Sequence, residues 1–447
     1  MTYRRHTLAP MRHDVRQVRE TGVGMGRFAR AGAKVGALSL MASLALTGCG
    51  DDQKKAEFVD GAPSVGSSVA AESGTAPAEP GTSSGPPLTV SPADGAKNRP
   101  VSAEISADIP EGGKVTDVAL TAANGDKVAG RWRVDGSSWV PNSALKYGTR
   151  YTAVVTAAGE GGQTRQGTST FTTMAKPKST ITSGLYLFSD KTYGVGMPVV
   201  AEFHPGIPAK DRKAVQKRMF VRTDPPQPGA WHWVSNGTQA YYRAPEYWKP
   251  GTTITVRIAL AGIPLSNGKY GNVDRSATAK IGRSFVMKVD NATKKMTVYE
   301  DGQVVRTIPV SLGKKSTPSS SGTMVVMEKK ESTVFDTRDD PNPANRYVTE
   351  IDFAQRLTWG GEYIHAAPWS EHVQGRQNVS HGCVNVSMAQ AKWLFSQTKV
   401  GDPITIKGTE RKLTPGNGWT AWSMSWAEFV KGSALPVPEG GAGPALA

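Results

Sequence analysis

The chain of 447 residues is long enough for two to four domains, each able to bury a core of its own. Its formal charge is +15; with residues 1–48 set aside, 45 Lys and Arg remain against 36 Asp and Glu, a charge of +9. No basic stripe is interleaved with aromatic residues, so this charge favours an anionic surface, such as lipid headgroups or wall polymers, over nucleic acid as a partner. A merely solvated basic surface is the alternative.

Residues 1–49 are typical of an export signal. Three basic residues between positions 27 and 34 precede an uncharged run over 35–46, which is shorter than the roughly 20 residues that a membrane-spanning helix needs. The run ends in Leu-Thr-Gly-Cys at Cys49, which resembles the bacterial lipobox. The resemblance implies that the Cys49 thiol is acylated and becomes the new N-terminus, so we expect an extracytoplasmic protein anchored by lipid to the outer face of the membrane. A chance cysteine after a signal peptide is the alternative.

Residues 50–87 predict a flexible tether. They are rich in Ser, Gly, Pro, Ala and Glu and contain one aromatic residue, Phe58. Such a segment cannot bury enough apolar surface to fold. Its roughly 38 residues have a root-mean-square reach of ~35 Å, so the tether spaces the first folded domain from its anchor.

Residues 88–174 and 175–281 predict two immunoglobulin-like β-sandwiches. In the first, short alternating runs are separated by turn signals such as Asn124-Gly125. The sequence around Tyr151 resembles a tyrosine corner. The second region is a weaker echo of the first, interrupted by a basic stretch over 209–219 that is compatible with a helix. The fold is therefore predicted to be mainly β.

The second β-domain also carries a cluster of aromatic residues. Its members are Trp231, Trp233, Tyr241, Tyr242, Tyr247 and Trp248. Such a cluster binds sugars in some proteins, but in a β-domain these residues more often pack in the core or between domains. We therefore favour the packing interpretation.

Residues 282–408 predict a third β-domain. Asp301-Gly302 is a strong hairpin turn between strand-like runs, and the polar segment over 339–343 has the composition of a lid over a site. Short strands that contain His365 and His381 follow. A capping box then begins a helix.

Cys383 is the one thiol that remains if Cys49 is acylated. An unpaired thiol in an exported protein is either a leftover or a nucleophile. Three of the five histidines that follow the export signal, His365, His372 and His381, fall within seventeen residues near it. This clustering favours a nucleophile.

A thiol with a pKa near 8.5 is mostly protonated at neutral pH, so a cysteine nucleophile needs an imidazole that accepts its proton. Two candidates exist: His381 shares a strand face with Cys383, and His365 lies on another strand. The backbone N–H groups of Gly382 and Cys383 are candidate oxyanion donors, with the Tyr347 hydroxyl as a helper from the lid. These residues indicate cysteine acyl transfer.

His365 followed by Ser380-His381-Gly382-Cys383-Val384-Asn385 resembles the signature of L,D-transpeptidase catalytic domains: a His, a gap, then Ser/Thr-His-Gly-Cys-x-Arg/Asn. The resemblance covers residues 283–408. It implies a catalytic β-sandwich in which Cys383 is the nucleophile and His365 is the base, oriented by the backbone carbonyl of Ala366. It further implies supporting or substrate-binding roles for Tyr347, Trp369, Ser380, His381, Asn385 and, on the lid side, Met327.

By the same resemblance, the substrates are peptidoglycan stem peptides, one as donor and one as acceptor. Cys383 would attack the carbonyl after the third residue of a stem tetrapeptide, a diamino acid, and release D-Ala. The side-chain amine of a second stem would then resolve the acyl-enzyme to a 3→3 cross-link. Carbapenem β-lactams are expected to acylate the same thiol. We expect a monomer with no metal, no other cofactor and no nucleic-acid partner.

Three alternatives stay open. A zinc site could be built from His365, His372, His381 and Cys383, although it would leave no thiol for acyl transfer. A carboxypeptidase would use the same thioester with water as the acceptor. A wall-binding scaffold would carry an inert catalytic domain.

Residues 409–447 form a tail. It contains Trp419, Trp422 and Trp426, and we expect these tryptophans to fold the tail back onto the catalytic domain.

Overall fold

The computed structural model describes residues 88–109, 113–159, 163–234, 236–338, 342–343 and 346–437. The predicted export signal with Cys49 and the predicted tether over 50–87 lie outside the described residues, as do residues 339–341 of the predicted lid. Among the residues that the structure describes, no helix has the length and apolarity that crossing a bilayer requires.

The first domain is built from strands that pair antiparallel, except that β2 pairs with β9 in parallel. They are β1 (Thr89–Ser91), β2 (Ala96–Arg99), β3 (Ser106–Asp108), β4 (Lys114–Ala122), β5 (Lys127–Val128), β6 (Gly130–Trp132), β7 (Trp139–Pro141), β8 (Arg150–Ala158) and β9 (Thr164–Thr173). The main sheet has the order β2-β9-β8-β4-β5. Strand β8 alternates buried and half-buried residues along its length, because side chains two apart share a face. Tyr151 stacks on Phe171, and its hydroxyl accepts the Lys146 N–H at 2.9 Å, which is the predicted tyrosine corner.

The second domain is a sandwich of two sheets. Its elements are β10 (Thr180–Leu185), β11 (Thr192–Tyr193), β12 (Val199–His204), a 3-10 turn (Ala209–Asp211), α1 (Arg212–Gln216), β13 (Met219–Asp224), β14 (Ala230–Trp233), β15 (Gln239–Arg243), β16 (Thr253–Ile258), β17 (Tyr270–Gly271) and β18 (Arg275–Ile281). One sheet has the order β14-β15-β12-β10-β17 and the other β11-β18-β16-β13. The helical interruption that the sequence suggests over 209–219 is confirmed by the 3-10 turn and α1.

The aromatic cluster of the second domain lies in its core. Trp231 and Trp248 are fully buried, and their indole N–H groups donate to the carbonyls of Met219 at 3.0 Å and Met197 at 2.6 Å. Tyr242 lies between them and packs against both rings. The packing interpretation is therefore confirmed.

The third domain holds the candidate site. Its elements are β19 (Phe285–Asp290), β20 (Lys295–Glu300), β21 (Gln303–Pro309), β22 (Ser320–Val325), β23 (Glu328–Asp336), β24 (Val348–Arg356), β25 (Tyr363–Ala366), a 3-10 helix (Pro368–Val373), β26 (Val384–Val386), α2 (Met388–Gln397), β27 (Pro403–Lys407) and β28 (Arg411–Lys412). A six-stranded sheet of order β21-β20-β19-β27-β22-β28 faces a four-stranded sheet of order β23-β24-β25-β26. The apolar core between them contains Phe285, Met296, Ile364 and Leu394.

Local sequence explains the ends of two elements in this domain. Asp301 and Gly302 both have positive φ, 46° and 84°, which is the backbone that a tight hairpin turn between β20 and β21 requires. The Ser387 hydroxyl accepts the Gln390 N–H at 3.3 Å and begins α2. The predicted turn and the predicted helix start are both confirmed.

The tail packs first against the third domain, where β28 pairs with β22 and Leu413 lies in the core, and farther along against the second domain. It contains a 3-10 turn (Ala421–Ser423) and α3 (Trp426–Val430). Arg243 of β15 is buried and donates to the carbonyls of Ala421 at 3.1 Å and Met424 at 2.8 Å. Its guanidinium also lies over the rings of Trp422 and Phe429.

The prediction that the tail folds back onto the catalytic domain is therefore confirmed for its first part, through Trp419, and wrong for Trp422 and Trp426, which pack on the second domain. Among the described residues no carboxylate pairs with Arg243, so the tail carbonyls and rings compensate its buried charge. Trp419 contacts the third domain through its backbone N–H, which donates to Met327 Sδ at 3.3 Å.

Candidate active site

Strands β25 and β26 bring the predicted base and the predicted nucleophile together. The two strands pair in parallel, with Ile364 opposite Val384 and His365 opposite Asn385. Cys383 lies immediately before β26, because the chain bends over residues 381–383. The predicted strand over these three residues, with His381 and Cys383 on one face, is therefore wrong. Cys383 and His365 line one cavity of about 550 Å³.

His365 is oriented as the sequence resemblance implies. Its Nδ1 lies 2.8 Å from the carbonyl oxygen of Ala366. Because a carbonyl only accepts, Nδ1 carries the proton and the Nε2 lone pair is left as a proton acceptor. Burial lowers the pKa of His365, against a smaller raising effect of the Ala366 hydrogen bond. The imidazole is therefore neutral at neutral pH, as a base must be.

Cys383 is a buried thiol, 7% exposed. Burial raises its pKa to about 12; a backbone hydrogen bond from Tyr363 lowers the pKa, and the charge of Glu362 raises it. The Sγ atom donates to the carbonyl oxygen of Gly361 at 3.6 Å. The resting thiol is therefore protonated, and a nucleophilic thiolate has to be formed by transfer of the proton to a neighbouring base.

The loop before the nucleophile is braced from within. Gly382 has φ +124°, a conformation that side chains other than glycine rarely adopt. Its N–H donates to Ser380 Oγ at 3.1 Å, and Ser380 Oγ donates to the Cys383 carbonyl at 2.7 Å. The Gly382 N–H was expected to bind the oxyanion, but in this structure it is already hydrogen-bonded to the Ser380 hydroxyl. Ser380 thus acts first as a brace, although it also lines the cavity.

The other predicted site residues surround the cavity. Tyr347, Trp369, His381 and Asn385 all line it. The Tyr347 and His381 rings lie 5.0 Å apart, and the His365 and Trp369 rings 6.0 Å apart. Trp369 is 54% exposed, unusual for so large an apolar side chain. Together these rings form the walls of the cavity.

Asn385 holds a polar atom that the protein leaves unsatisfied. The residue is 2% exposed, and its Nδ2 donates to Ser370 Oγ at 3.3 Å. Its Oδ1 has no hydrogen-bond partner among the described residues. Leaving a buried acceptor unpaired costs about 1–3 kcal/mol. A ligand N–H donor in the cavity would remove that cost.

Comparison with known proteins agrees with this geometry. Residues 284–406 match the L,D-transpeptidase catalytic domain, and residues 96–264 match a bacterial Ig domain. L,D-transpeptidase 2 of Mycobacterium tuberculosis is 34% identical over 355 residues, which are 78% of this chain and 85% of that protein. The chain belongs to the L,D-transpeptidase family.

One further relative supports the assignment to this family of transpeptidases, whose general chemistry is peptidoglycan cross-linking. L,D-transpeptidase 5 of M. tuberculosis is 34% identical over 362 residues, covering 79% of this chain and 78% of that protein. A solved L,D-transpeptidase in complex with imipenem is 31% identical, covers 52% of this chain and all of that one, and has a TM-score of 0.44. The predicted fold, two immunoglobulin-like domains before a catalytic β-domain, is confirmed.

Met327 lies outside the cavity. The family resemblance implies a position on the lid side of the site, but the Met327 side chain is buried at the junction with the second domain and its sulfur accepts the backbone N–H of Trp419. The reason is that β22 ends at Val325, so Met327 turns away from the third domain's core.

Phe335 of β23 lies on the lid side of the transpeptidase cavity and was missed. Its ring lines the cavity and lies 4.8 Å from Tyr363 and 6.2 Å from His365, centroid to centroid. A signal existed in the sequence: Phe335 is an isolated aromatic residue in a polar segment just before the predicted lid.

Lys314 is a second residue that the sequence analysis did not single out. Its Nζ lies 3.0 Å from His381 Nε2. Because an ammonium only donates, Nε2 of His381 is an acceptor in this pair. His381 is therefore not placed to take the thiol proton through that nitrogen, and this contact favours His365 of the two candidate bases.

The described residues contain no group of three or more His, Cys, Asp and Glu side chains placed to hold a metal ion. His365 commits its Nδ1 to the Ala366 carbonyl. This arrangement suits proton transfer to and from a thiol.

Proposed function

We propose that this L,D-transpeptidase forms 3→3 peptidoglycan cross-links through an acyl-enzyme at Cys383. The observation that carries the proposal is the pairing of a neutral His365, with its Nε2 lone pair available, and a protonated Cys383 thiol in one cavity. A thiol and an oriented base are the two groups that nucleophilic acyl transfer needs.

In the first half-reaction, the Cys383 proton passes to His365 Nε2 as Sγ bonds to the carbonyl carbon after the third residue of a donor stem tetrapeptide. The peptide C–N bond then breaks. The leaving D-Ala amine takes the proton from His365, and a thioester remains on Cys383. Burial makes the thiolate costly in the resting protein, so we place proton transfer and attack together, once the substrate carbonyl is in contact.

In the second half-reaction, the side-chain amine of a diamino acid from another stem gives a proton to His365 and attacks the thioester. An amide forms, the C–S bond breaks, and the proton returns to the Cys383 sulfur. The carboxypeptidase alternative differs only in that water replaces this amine. The exposed ring of Trp369 and the wall made by Tyr347 favour the transpeptidase, because they offer surface on which a second stem can lie.

Donor recognition is assigned to Asn385 and the rings. The buried Oδ1 of Asn385 would accept an amide N–H of the donor stem. Tyr347 stands beside His381 with its hydroxyl available to a developing oxyanion. Carbapenem β-lactams would acylate Cys383 through the same attack on a strained carbonyl.

Intact-protein mass spectrometry after incubation with a tetrapeptide stem tests the acyl-enzyme. We expect a mass increase equal to the stem minus D-Ala, located on Cys383 by peptide mapping, with Cys383→Ala as the control. A folded protein whose Cys383 is alkylated by iodoacetamide but takes up no stem would refute the proposal. Quantifying cross-linked dimers against free D-Ala then separates the transpeptidase from the carboxypeptidase.

We further propose that the mature protein works as a lipid-anchored monomer on the outer face of the membrane, attached through Cys49. The support is the Leu-Thr-Gly-Cys that closes the apolar run. Detergent phase partitioning of the protein made in a bacterial host that processes lipoproteins tests it. The wild type should enter the detergent phase and Cys49→Ala should stay in the aqueous phase; equal partitioning would refute it.

A further inference from the structure

An ion pair with one buried and one half-exposed member lies behind the nucleophile. Glu362 stands between Gly361, whose carbonyl contacts Cys383 Sγ, and Tyr363, whose backbone also hydrogen-bonds to the sulfur. The Glu362 side chain is 6% exposed and pairs with Arg411 of β28. Its carboxylate also accepts from Ser320, from the hydroxyl at 2.7 Å and from the N–H at 3.2 Å.

This pair also touches the other side of the nucleophile loop, residues 380–383. A Cβ at Gly382 would lie 3.7 Å from the Cγ of Glu362 and 3.8 Å from an Nη of Arg411. The Gly382 carbonyl is held from below by Ser319 Oγ at 2.7 Å. The backbone segments on both sides of the Cys383 sulfur therefore lie next to the same side chains, those of Glu362, Arg411 and Ser319.

We propose that Glu362 and Arg411 are a positioning pair for Cys383, which fixes the backbone around Sγ and sets how readily the thiol gives up its proton. The proposal rests on the assigned role of Cys383 as the nucleophile. Neither residue touches the cavity, so the pair acts through the loop and through its charge.

Several titratable groups surround the sulfur. The cavity is lined by His365, His372, His381 and Tyr347, and Tyr347 interacts electrostatically with the sulfur. Behind His381 stands the Lys314 ammonium, and from β25 the phenol of Tyr363 interacts with the sulfur as well. Glu362 is the carboxylate that acts on it, and after burial its charge raises the pKa of Cys383.

Arg411 offsets that charge. Its side chain is 48% exposed, so solvent screens part of its effect. The pair therefore leaves a net negative influence on the thiolate, smaller than that of Glu362 alone. Removing the charge of Glu362 should lower the pKa of Cys383, and removing the charge of Arg411 should raise it.

Alkylation of Cys383 by iodoacetamide, followed by intact mass between pH 7 and 9, measures this. Below the pKa the rate follows the thiolate fraction, which changes tenfold for each unit of pKa. Glu362→Gln keeps the shape and an acceptor for Ser320 but removes the charge, so we expect alkylation about 3–10-fold faster. Arg411→Met leaves Glu362 uncompensated, and we expect a rate lower by a similar factor.

The double variant Glu362→Gln with Arg411→Met provides the charge-compensated case, and its rate should return towards that of the wild type. Glu300→Gln is the matched control, because Glu300 pairs with Arg283 in the same domain and neither lies at the cavity. Its rate should equal that of the wild type. Thermal melting of each variant records whether the fold is retained.

A purely structural pair would loosen the loop in both single variants and change both rates in the same direction; that result overturns the proposal, as does the absence of any change. If one single variant does not fold, the double variant decides: a rate close to the wild type supports the pair, and a rate like that of the remaining single variant refutes it. The assay uses no stem peptide, so opposite shifts without any stem adduct would sink the acyl-enzyme and leave this proposal standing.

Discussion

Two regions of the molecule are rich in aromatic residues, and they differ in what the protein leaves open. In the second β-domain, Trp231 and Trp248 are fully buried and their N–H groups have backbone acceptors. In the cavity of the third domain, Trp369 is 54% exposed, and the buried Asn385 Oδ1 has no hydrogen-bond partner in the part of the chain that the structure describes. The aromatic side chains of the second domain are fully packed and hydrogen-bonded, whereas the cavity offers an exposed ring and a hydrogen-bond acceptor to a ligand.

Cys383→Ala is the change with the largest expected effect on the cavity side of this comparison. Without the sulfur there is no covalent intermediate, and we expect cross-linked dimer formation to fall by about 10³-fold or more. Because alanine is smaller and apolar, the melting temperature should change little. Activity within tenfold of the wild type would show that another group carries the acyl chain.

Trp231→Ala tests the aromatic core of the second β-domain. It removes a fully buried indole that packs against Tyr242 and donates to Met219, so the free energy of unfolding should fall by about 3–5 kcal/mol. Chemical denaturation measures this. At a temperature where the variant is folded, kcat should match that of the wild type; a large loss of kcat would link the second domain to the chemistry.

Trp369→Ala should behave in the opposite way. The side chain is 54% exposed, so the free energy of unfolding should change by less than about 0.5 kcal/mol. We expect kcat/KM for the stem donor to fall by about 10–100-fold, because the ring forms a cavity wall beside His365. Steady-state kinetics with denaturation on the same sample gives both values. A change in stability with unchanged kinetics would make Trp369 an ordinary packing residue.

The smallest expected effect is a shift in the pH profile. Burial lowers the pKa of His365 below its ordinary 6.5, and the base works only when neutral. The acid limb of kcat/KM should therefore have its midpoint below pH 6.5, with activity lost as the pH falls through it. The same lowered pKa means that His365 contributes stability above pH 6.5, which is lost as the pH falls. An acid limb above pH 7 would contradict the neutral, buried imidazole.

Sequence reasoning succeeded where short-range chemistry decides the structure. The turn at Asp301-Gly302 and the helix cap at Ser387 follow from local backbone preferences. The orientation of His365 by the Ala366 carbonyl was implied by the family resemblance and needs only the neighbouring residue.

It failed where distant segments meet. Met327 was expected at the cavity, but Phe335 lines it instead. The end of β22 and the contact of Met327 with Trp419 keep the Met327 side chain away from the cavity. The Gly382 N–H was expected to bind an oxyanion, but it donates to the Ser380 hydroxyl. That contact depends on how the loop folds, which the sequence does not show. Glu362 and Arg411 are 49 residues apart and carry no motif, so only the pairing of β22 with β28 shows that they meet.

The docking of the tail on Arg243 has a mechanical consequence. The third domain is joined to the second at its start, where β18 leads into β19, and is tied to it again at its end, where the Ala421 and Met424 carbonyls hold Arg243. A body fastened at two separate points cannot swivel as one on a single linker can. The catalytic cavity is therefore held in one orientation relative to the second domain, by the chain at one point and by the buried Arg243 at the other.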